Sequence, residues 1–424
     1  MNHWNQVLKD YLDSRIIAVL FLGFSSGLPL LLTYSTLSAW LAKEEISRSS
    51  IGLFALVGLP YAFKFLWSPL IDRLPPPLPL GRRRGWAITI QLALMLSILE
   101  LSTLDPRHQI GIMACFSVLV AFLSASQDIV IDAYRIELLD EIHQGPGAGM
   151  VQVGYRLSML VSGAGALFLA EAFGWNVAYS LMAVLLSVGI IVVLVLPEPA
   201  TNITYVSKFN GFSAELRNTI INPFIDFMRR PRWAILLIFI ATYKLGEAMA
   251  GVMATPLYIS LGFSLTEIAQ ISKLFGFFAT IIGCLVGGAI VTRLGCQKAL
   301  LFCGILQSIG NLFYILQANA GHHIEYLALC VAVENLTGGM AGTALVAYIS
   351  MLCNVSYTAT QYALLSSLAV IGRTLFASSG GFLADNLGWS SFFLLTTIIT
   401  LPALFLMFWI IRWSQLKKIN FMDN

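Results

Sequence analysis

A chain of 424 residues with 58% hydrophobic and 11% charged side chains carries less than half the charge of an ordinary soluble domain, which has about 25%. A water-soluble fold of this length cannot hide that much apolar surface, so lipid must be the solvent. A net charge of +3 is too small to argue for nucleic acid as a partner.

In chain order, the apolar runs divide into twelve segments, most near or above the ~20 residues that cross a bilayer. They are residues 15–42, 49–70, 86–104, 109–138, 147–172, 175–196, 232–261, 265–292, 298–318, 324–352, 358–386 and 389–412. The first contains Pro29, is too long for a signal-peptide core and lacks a cleavage site, so it is expected to be retained. The predicted fold is an all-α membrane protein with twelve transmembrane helices in two six-helix bundles, 1–196 and 232–424. A cytoplasmic linker, 197–231, joins them, with a surface helix expected over Ser213–Arg230.

An even number of spans puts both termini on one side. If that side is the cytoplasm, it receives sixteen Lys and Arg, from Lys9 and Arg15 through Arg73, Arg82, Arg83 and Arg84 to Lys418. The outside receives three: Lys43, Arg48 and Arg107. This asymmetry predicts cytoplasmic termini. The six cysteines show no CxxC spacing and lie mostly in apolar runs, as small apolar fillers do. They imply neither a disulfide framework nor a metal site. Nothing in the sequence requires a cofactor or a catalytic residue.

The halves repeat. After the second span the chain reads Asp72-Arg73, a proline-rich insert, then Gly81-Arg82-Arg83-Arg84. After the eighth it reads Thr292-Arg293-Leu294-Gly295 and continues to Lys298. Both resemble the major facilitator signature G-x-x-x-D-R-x-G-R-R, the first interrupted by its insert and the second with Thr292 in place of the aspartate. Gly154-Tyr155-Arg156 leads to Gly174-Trp175 in one half, and Gly372-Arg373 leads to Gly388-Trp389 in the other. Such parallel repeats build transporters with a substrate site between the halves. The signature residues Asp72, Arg73, Arg82, Arg83 and Arg293, with Arg135, are expected to hold helix ends together in one state of a gate, the aspartate favouring a helix N-terminus.

An ionisable residue inside a span costs at least ~2.5 kcal/mol on insertion scales and needs a partner or a purpose. The candidates are Lys64, Asp128, Asp132, Arg135, Arg156, Lys244, Glu247, Lys273, Glu334 and Arg373, with the amides Gln127 and Asn335 beside them. Asp128 and Asp132 share a helix face four residues apart. Asp132 can pair with Arg135, which would leave Asp128 the less compensated carboxylate. Lys244 and Glu247 are spaced to pair with each other. No histidine lies in a span, so a proton relay would use Asp128, Asp132, Glu247 or Glu334. The cations Lys64, Arg156, Lys244, Lys273 and Arg373 are candidate anchors for an anionic solute. Hydroxyls in the first span, such as Ser25 and Ser26, suit a hydroxyl-rich solute or ordinary interhelical bonds.

The segments GFSSGLPLLLTYSTLSAW (23–40), FKFLWSPLIDR (63–73), SASQDIVIDAYR (124–135), GYRLSMLVSG (154–163), YKLGEAM (243–249), ENLTGGMAGTALVAYISMLCN (334–354) and ATQYALLSSLAVIGR (359–373) resemble the AmpG muropeptide permease family over nearly the whole chain. The resemblance implies a monomeric carrier in the bacterial inner membrane. It would import N-acetylglucosaminyl-1,6-anhydro-N-acetylmuramyl peptides with protons, for peptidoglycan recycling and β-lactamase induction. Sugar hydroxyls and acetamido groups would meet Gln127, Asn335 and hydroxyls, with Tyr243 a further contact. Composition and spacing alone leave other cargoes open, such as acetyl-coenzyme A, a peptide or a sugar. Asp128-x-x-x-Asp132 also superficially resembles a prenyltransferase motif, although no second aspartate-rich segment exists.

Overall fold

The computed structural model describes residues 9–199, 221–377 and 379–422, and among them every regular element is helical. Among the described residues, eleven helices are long and apolar enough to cross a membrane. The remaining expected span, the second, winds as a series of short pieces. These are Arg48–Leu53, a 3-10 turn at Phe54–Gly58, Leu59–Phe63, a 3-10 turn at Lys64–Leu66, and Ser68–Arg73. Pro60 and Pro69 each stand in the first turn of a new piece, where a missing N–H costs least. Of the expected surface helix, Asn222–Met228 is helical. Its earlier part, 213–220, and the loop cations Lys208 and Arg217 lie outside the described residues.

The chain forms two compact units. One comprises Met1–Glu141, Met150–Phe227 and Cys353–Ser367; the other comprises Ile142–Gly149, Met228–Leu352 and Leu368–Asn424. The first unit therefore holds most of spans one to six, the described linker as far as Phe227 and the first turns of span eleven. One of its cores gathers Leu28, Trp40, Leu94, Val120 and Tyr179, with Trp40 stacked on Trp175 at 5.5 Å. In the second unit the core includes Met249, Tyr258, Tyr314, Phe392 and Phe393, the last stacked on Tyr314 at 4.6 Å. Outward-facing Phe168, Val195, Phe382 and Phe405 are at least 70% exposed, an arrangement stable only where the surrounding medium is apolar.

The repeat has a backbone counterpart. Gly81 and Gly295, before spans three and nine, have φ of +100° and +75°; Gly174 and Gly388, before spans six and twelve, have φ of +87° and +72°. With ψ near 160°, these conformations are open essentially to glycine alone. Several spans also depart from α geometry within their length. Span one breaks at Tyr34 and span seven at Tyr243–Lys244. Spans five and eight contain π turns at Val161–Gly165 and Ala269–Phe275.

Candidate functional site

The signature loop makes the densest charge cluster of the first unit. Asp72 is 2% exposed at the end of span two, and Arg83 is wholly buried at the start of span three. Arg83 Nη2 donates to Asp72 Oδ1 at 2.8 Å and to Glu137 Oε1 at 2.6 Å. Arg82 reaches Glu137 at 3.0 Å and the Asp72 carbonyl at 3.4 Å. Asp72 also accepts from the first turn of span eleven: the Ala359 N–H at 3.3 Å, the Thr360 N–H at 2.8 Å and Thr360 Oγ1 at 2.7 Å. An anion is favoured there because the first N–H groups of a helix have no intrahelical acceptor. Arg73 lies over the Tyr357 ring at 5.1 Å and Arg135 over that of Tyr362 at 5.8 Å. Arg293 is exposed at the end of span eight.

Within the spans of this unit, Asp132 pairs with Arg135 at 3.7 Å, as the i, i+3 spacing predicts. Asp128 is better compensated than expected. Lys64 Nζ stands 3.9 Å from it, and Ser26 donates to it from span one. Gln127 is fully buried and donates to Ser25 Oγ at 2.8 Å, where Gln91 also donates at 3.3 Å. Its amide nitrogen is thus used in tying spans one, three and four together. Arg156, in span five, is exposed.

In the second unit, Lys244 pairs with Glu247 and donates to the Gly338 carbonyl at 3.2 Å, while Gln307 donates to Glu247. Asn335 donates to Glu334 at 2.8 Å and accepts from Thr280 at 2.9 Å. Glu247, Glu334, Arg373 and Thr374 line a cavity of about 580 Å³. Tyr243 is 4% exposed and donates to the Leu300 carbonyl at 2.8 Å, so its hydroxyl is used in joining spans seven and nine. Lys273 sits in the π turn of span eight and is exposed.

The five candidate anchor cations therefore fall into two sets. Lys64 and Lys244 have carboxylate partners. Arg156, Lys273 and Arg373 are exposed and make no ion pair with a described residue. Glu137, Thr360, Tyr362 and Gln307 escaped the sequence reading, since each acquires its role from a partner far away in the chain. The positive charge of the signature loop was the one available hint that a buried acid must face it.

Paired charges inside apolar helices, a charged cavity among spans and an anion seated on a helix start define a membrane transporter built on an internal repeat. The profile of the Major Facilitator Superfamily matches residues 17–320 and 236–418. The anhydromuropeptide permease of Escherichia coli (strain K12) is 41% identical over 422 residues, 99% of this chain and 84% of that one. Putative transporter AmpG 4 of Rickettsia conorii is 36% identical over 412 residues, 96% of this chain and 98% of its own. Among solved structures, the human organic anion transporter MFSD10 superposes with a TM-score of 0.69 at 15% identity, covering 93% of this chain and 99% of that chain. The proton:xylose symporter XylE superposes with a TM-score of 0.66 at 11% identity, covering 95% of each. The chain belongs to the Major Facilitator Superfamily and, within it, to the AmpG permease family. It is a multi-pass membrane transporter for a small-molecule solute, not an enzyme.

Proposed function

We propose that the protein imports anhydro-muropeptides together with protons across the bacterial inner membrane by alternating access, as a monomer with both termini in the cytoplasm. Each set of six spans acts as one bundle in this reading, and residues 197–231 link them. The observation that carries it is the trio Arg156, Lys273 and Arg373. An unpaired cation in a span costs ~2.5–3.5 kcal/mol on insertion scales, and these three have no carboxylate partner among the described residues. A solute bearing peptide carboxylates supplies the missing anions, and bidentate Arg–carboxylate bonds add geometric selectivity. The sequence likeness to an anhydromuropeptide permease supports the sugar-linked peptide as that solute.

In this scheme Asp128, Asp132, Glu247 and Glu334 are the carboxylates available to a proton. Asn335, between Thr280 and Glu334, is the predicted solute amide that touches such a group. Gln127 and Tyr243 act as internal ties rather than solute contacts. Asp72, Arg73, Arg82, Arg83, Arg135 and Arg293 hold and release the gate. The imported sugar peptides would feed peptidoglycan recycling and β-lactamase induction.

The test is uptake into proteoliposomes with an inward proton gradient. Labelled anhydro-disaccharide tripeptide should accumulate, and the same disaccharide without its peptide should accumulate far less. Replacing Arg156, Lys273 and Arg373 singly by Gln should lower the apparent affinity for the tripeptide by about tenfold or more in at least one case, the scale of a lost charge-assisted bond. Equal uptake of both solutes, with all three variants at parental affinity, would reject the anchor reading.

A further inference from the structure

The linker joining the two sets of six spans is described at both ends, and both ends are bound to the gate. At its start, one oxygen of Glu198 accepts the Arg83 N–H at 2.7 Å and the other accepts the Arg84 N–H at 3.0 Å. These are first-turn donors of span three, which have no intrahelical acceptor. Tyr134 Oη donates to the Pro197 carbonyl at 2.7 Å. At its far end, the helix Asn222–Met228 carries Asp226. One oxygen of Asp226 accepts from Asn354 Nδ2 at 3.2 Å and the other from Gln361 Nε2 at 2.8 Å. Gln361, 1% exposed, also donates to the Pro223 carbonyl at 3.1 Å, and its Oε1 accepts the Asn354 N–H at 2.8 Å. Gln361 directly follows Thr360, which Asp72 holds.

A continuous path of bonds results. It runs from Glu198 to the backbone of Arg83, through the Arg83 side chain to Asp72, and on to the start of span eleven. From there it passes through Gln361 to Asp226. A plain tether needs no such contacts; a flexible connector meets its task by length and composition alone. Here two carboxylates make charge-assisted bonds, the stronger kind, on the elements whose separation opens the gate.

We infer that the two ends of the linker are positioning elements of the gate. Glu198 aligns the first turn of span three so that Arg83 reaches Asp72 and Glu137. Asp226 holds the first turn of span eleven where Asp72 can cap it. Parting the gate breaks the Asp72–Thr360 bonds, and each linker anchor fixes one of the two elements those bonds join, so weakening either anchor shifts the protein toward the open gate. This rests on the gating role of Asp72 proposed above.

The test needs no solute. Ala363 is 1% exposed, one turn beyond Ala359. In an otherwise cysteine-free chain reconstituted in lipid, the labelling rate of Ala363→Cys by N-ethylmaleimide reports gate opening. Gln361→Glu, which sets two carboxylates face to face, should raise that rate about tenfold, the scale of losing a hydrogen bond to a charged group. Adding Asp226→Asn, whose amide can donate to the new carboxylate, should return most of the protection. Glu198→Gln should give a smaller rise. Asp72→Asn serves as reference for the gate and should raise labelling by itself. If Asp72→Asn opens the gate while the linker variants label at the parental rate, the linker inference is overturned and the gate stands. If Asp72→Asn also changes nothing, the gate reading fails first. A rise in labelling that the Asp226→Asn addition does not reverse would also overturn the inference, as would a lowered unfolding temperature without faster labelling.

Discussion

Asp128 is the carboxylate whose surroundings best separate proton coupling from structure. It is not isolated in apolar helix: Ser26 donates to it and Lys64 Nζ stands 3.9 Å away. A carboxylate held by one hydroxyl and one loosely placed ammonium can exchange a proton without losing all its partners. Asp132 is held differently, by Arg135, whose guanidinium also faces Tyr362. Asp128→Asn keeps the shape and an acceptor for Ser26. It removes the protonatable group and leaves Lys64 without its anion. We expect it to retain exchange of solute down equal concentrations while losing accumulation driven by a pH gradient. Both are measured in the same vesicles, and an unchanged response to the gradient would dismiss Asp128 as the coupling site. The two i, i+3 pairs, Asp132 with Arg135 and Lys244 with Glu247, were legible in the sequence because helical spacing alone puts such residues on one face. The Lys64–Asp128 pair was not, nor was Glu137 beneath Arg82 and Arg83. Local spacing carries no information about which residue of a distant span comes to lie opposite.

At the scale of elements, the repeat shows in how glycines let helices meet. A methyl group built on Gly154 in span five would stand 2.8 Å from the Phe24 nitrogen and 2.9 Å from the Leu20 carbonyl carbon in span one. One built on Gly372, its counterpart in span eleven, would stand 3.2 Å from the Ala241 carbonyl carbon and Cα in span seven. Small residues at such crossings allow backbones to touch where no hydrophobic force draws helices together. Backbone cannot swing aside as a side chain can, so Gly372→Val should destabilise the protein by about 1–3 kcal/mol. Gly111, in span four with nothing within 4 Å of its built methyl, should accept Ala at no cost or with a gain of up to about 1 kcal/mol. Denaturant unfolding in one detergent compares the two; equal effects would show that the crossing is looser than these distances require. The glycine pairing was readable from the repeat, as were the span boundaries to within a few residues. The fragmentation of span two was not anticipated. Its prolines, Pro60 and Pro69, were visible, but a proline can kink a helix or start a new piece. Which of the two occurs depends on neighbours such as the Tyr34 hydroxyl, which packs against Gly58.

For the whole molecule, the proposed scheme depends on which face of the membrane holds the signature loop. The asymmetry of sixteen basic residues against three predicts that the signature loop, and with it Asp72, Arg82 and Arg83, lies on the cytoplasmic side. The cations left for the opposite face are compensated where their contacts are described. Lys43 pairs with Glu171 at 2.6 Å and Arg107 with Glu44 at 2.9 Å. Acids count little in orienting a nascent chain, so these pairs do not weaken the asymmetry, but they reduce the net positive field that face presents. The prediction is made with single cysteines in a chain otherwise free of them. A membrane-impermeant maleimide added to cells with a permeabilised outer membrane should label Arg107→Cys, whose parent side chain is 56% exposed. It should leave Arg293→Cys unlabelled until the inner membrane is opened. Both positions lie at span ends, so a reversed pattern would mean inverted insertion rather than local burial. The gate seated on Asp72 would then close the periplasmic side. The proposed cytoplasmic placement of the termini and of the signature-loop gate would then be rejected.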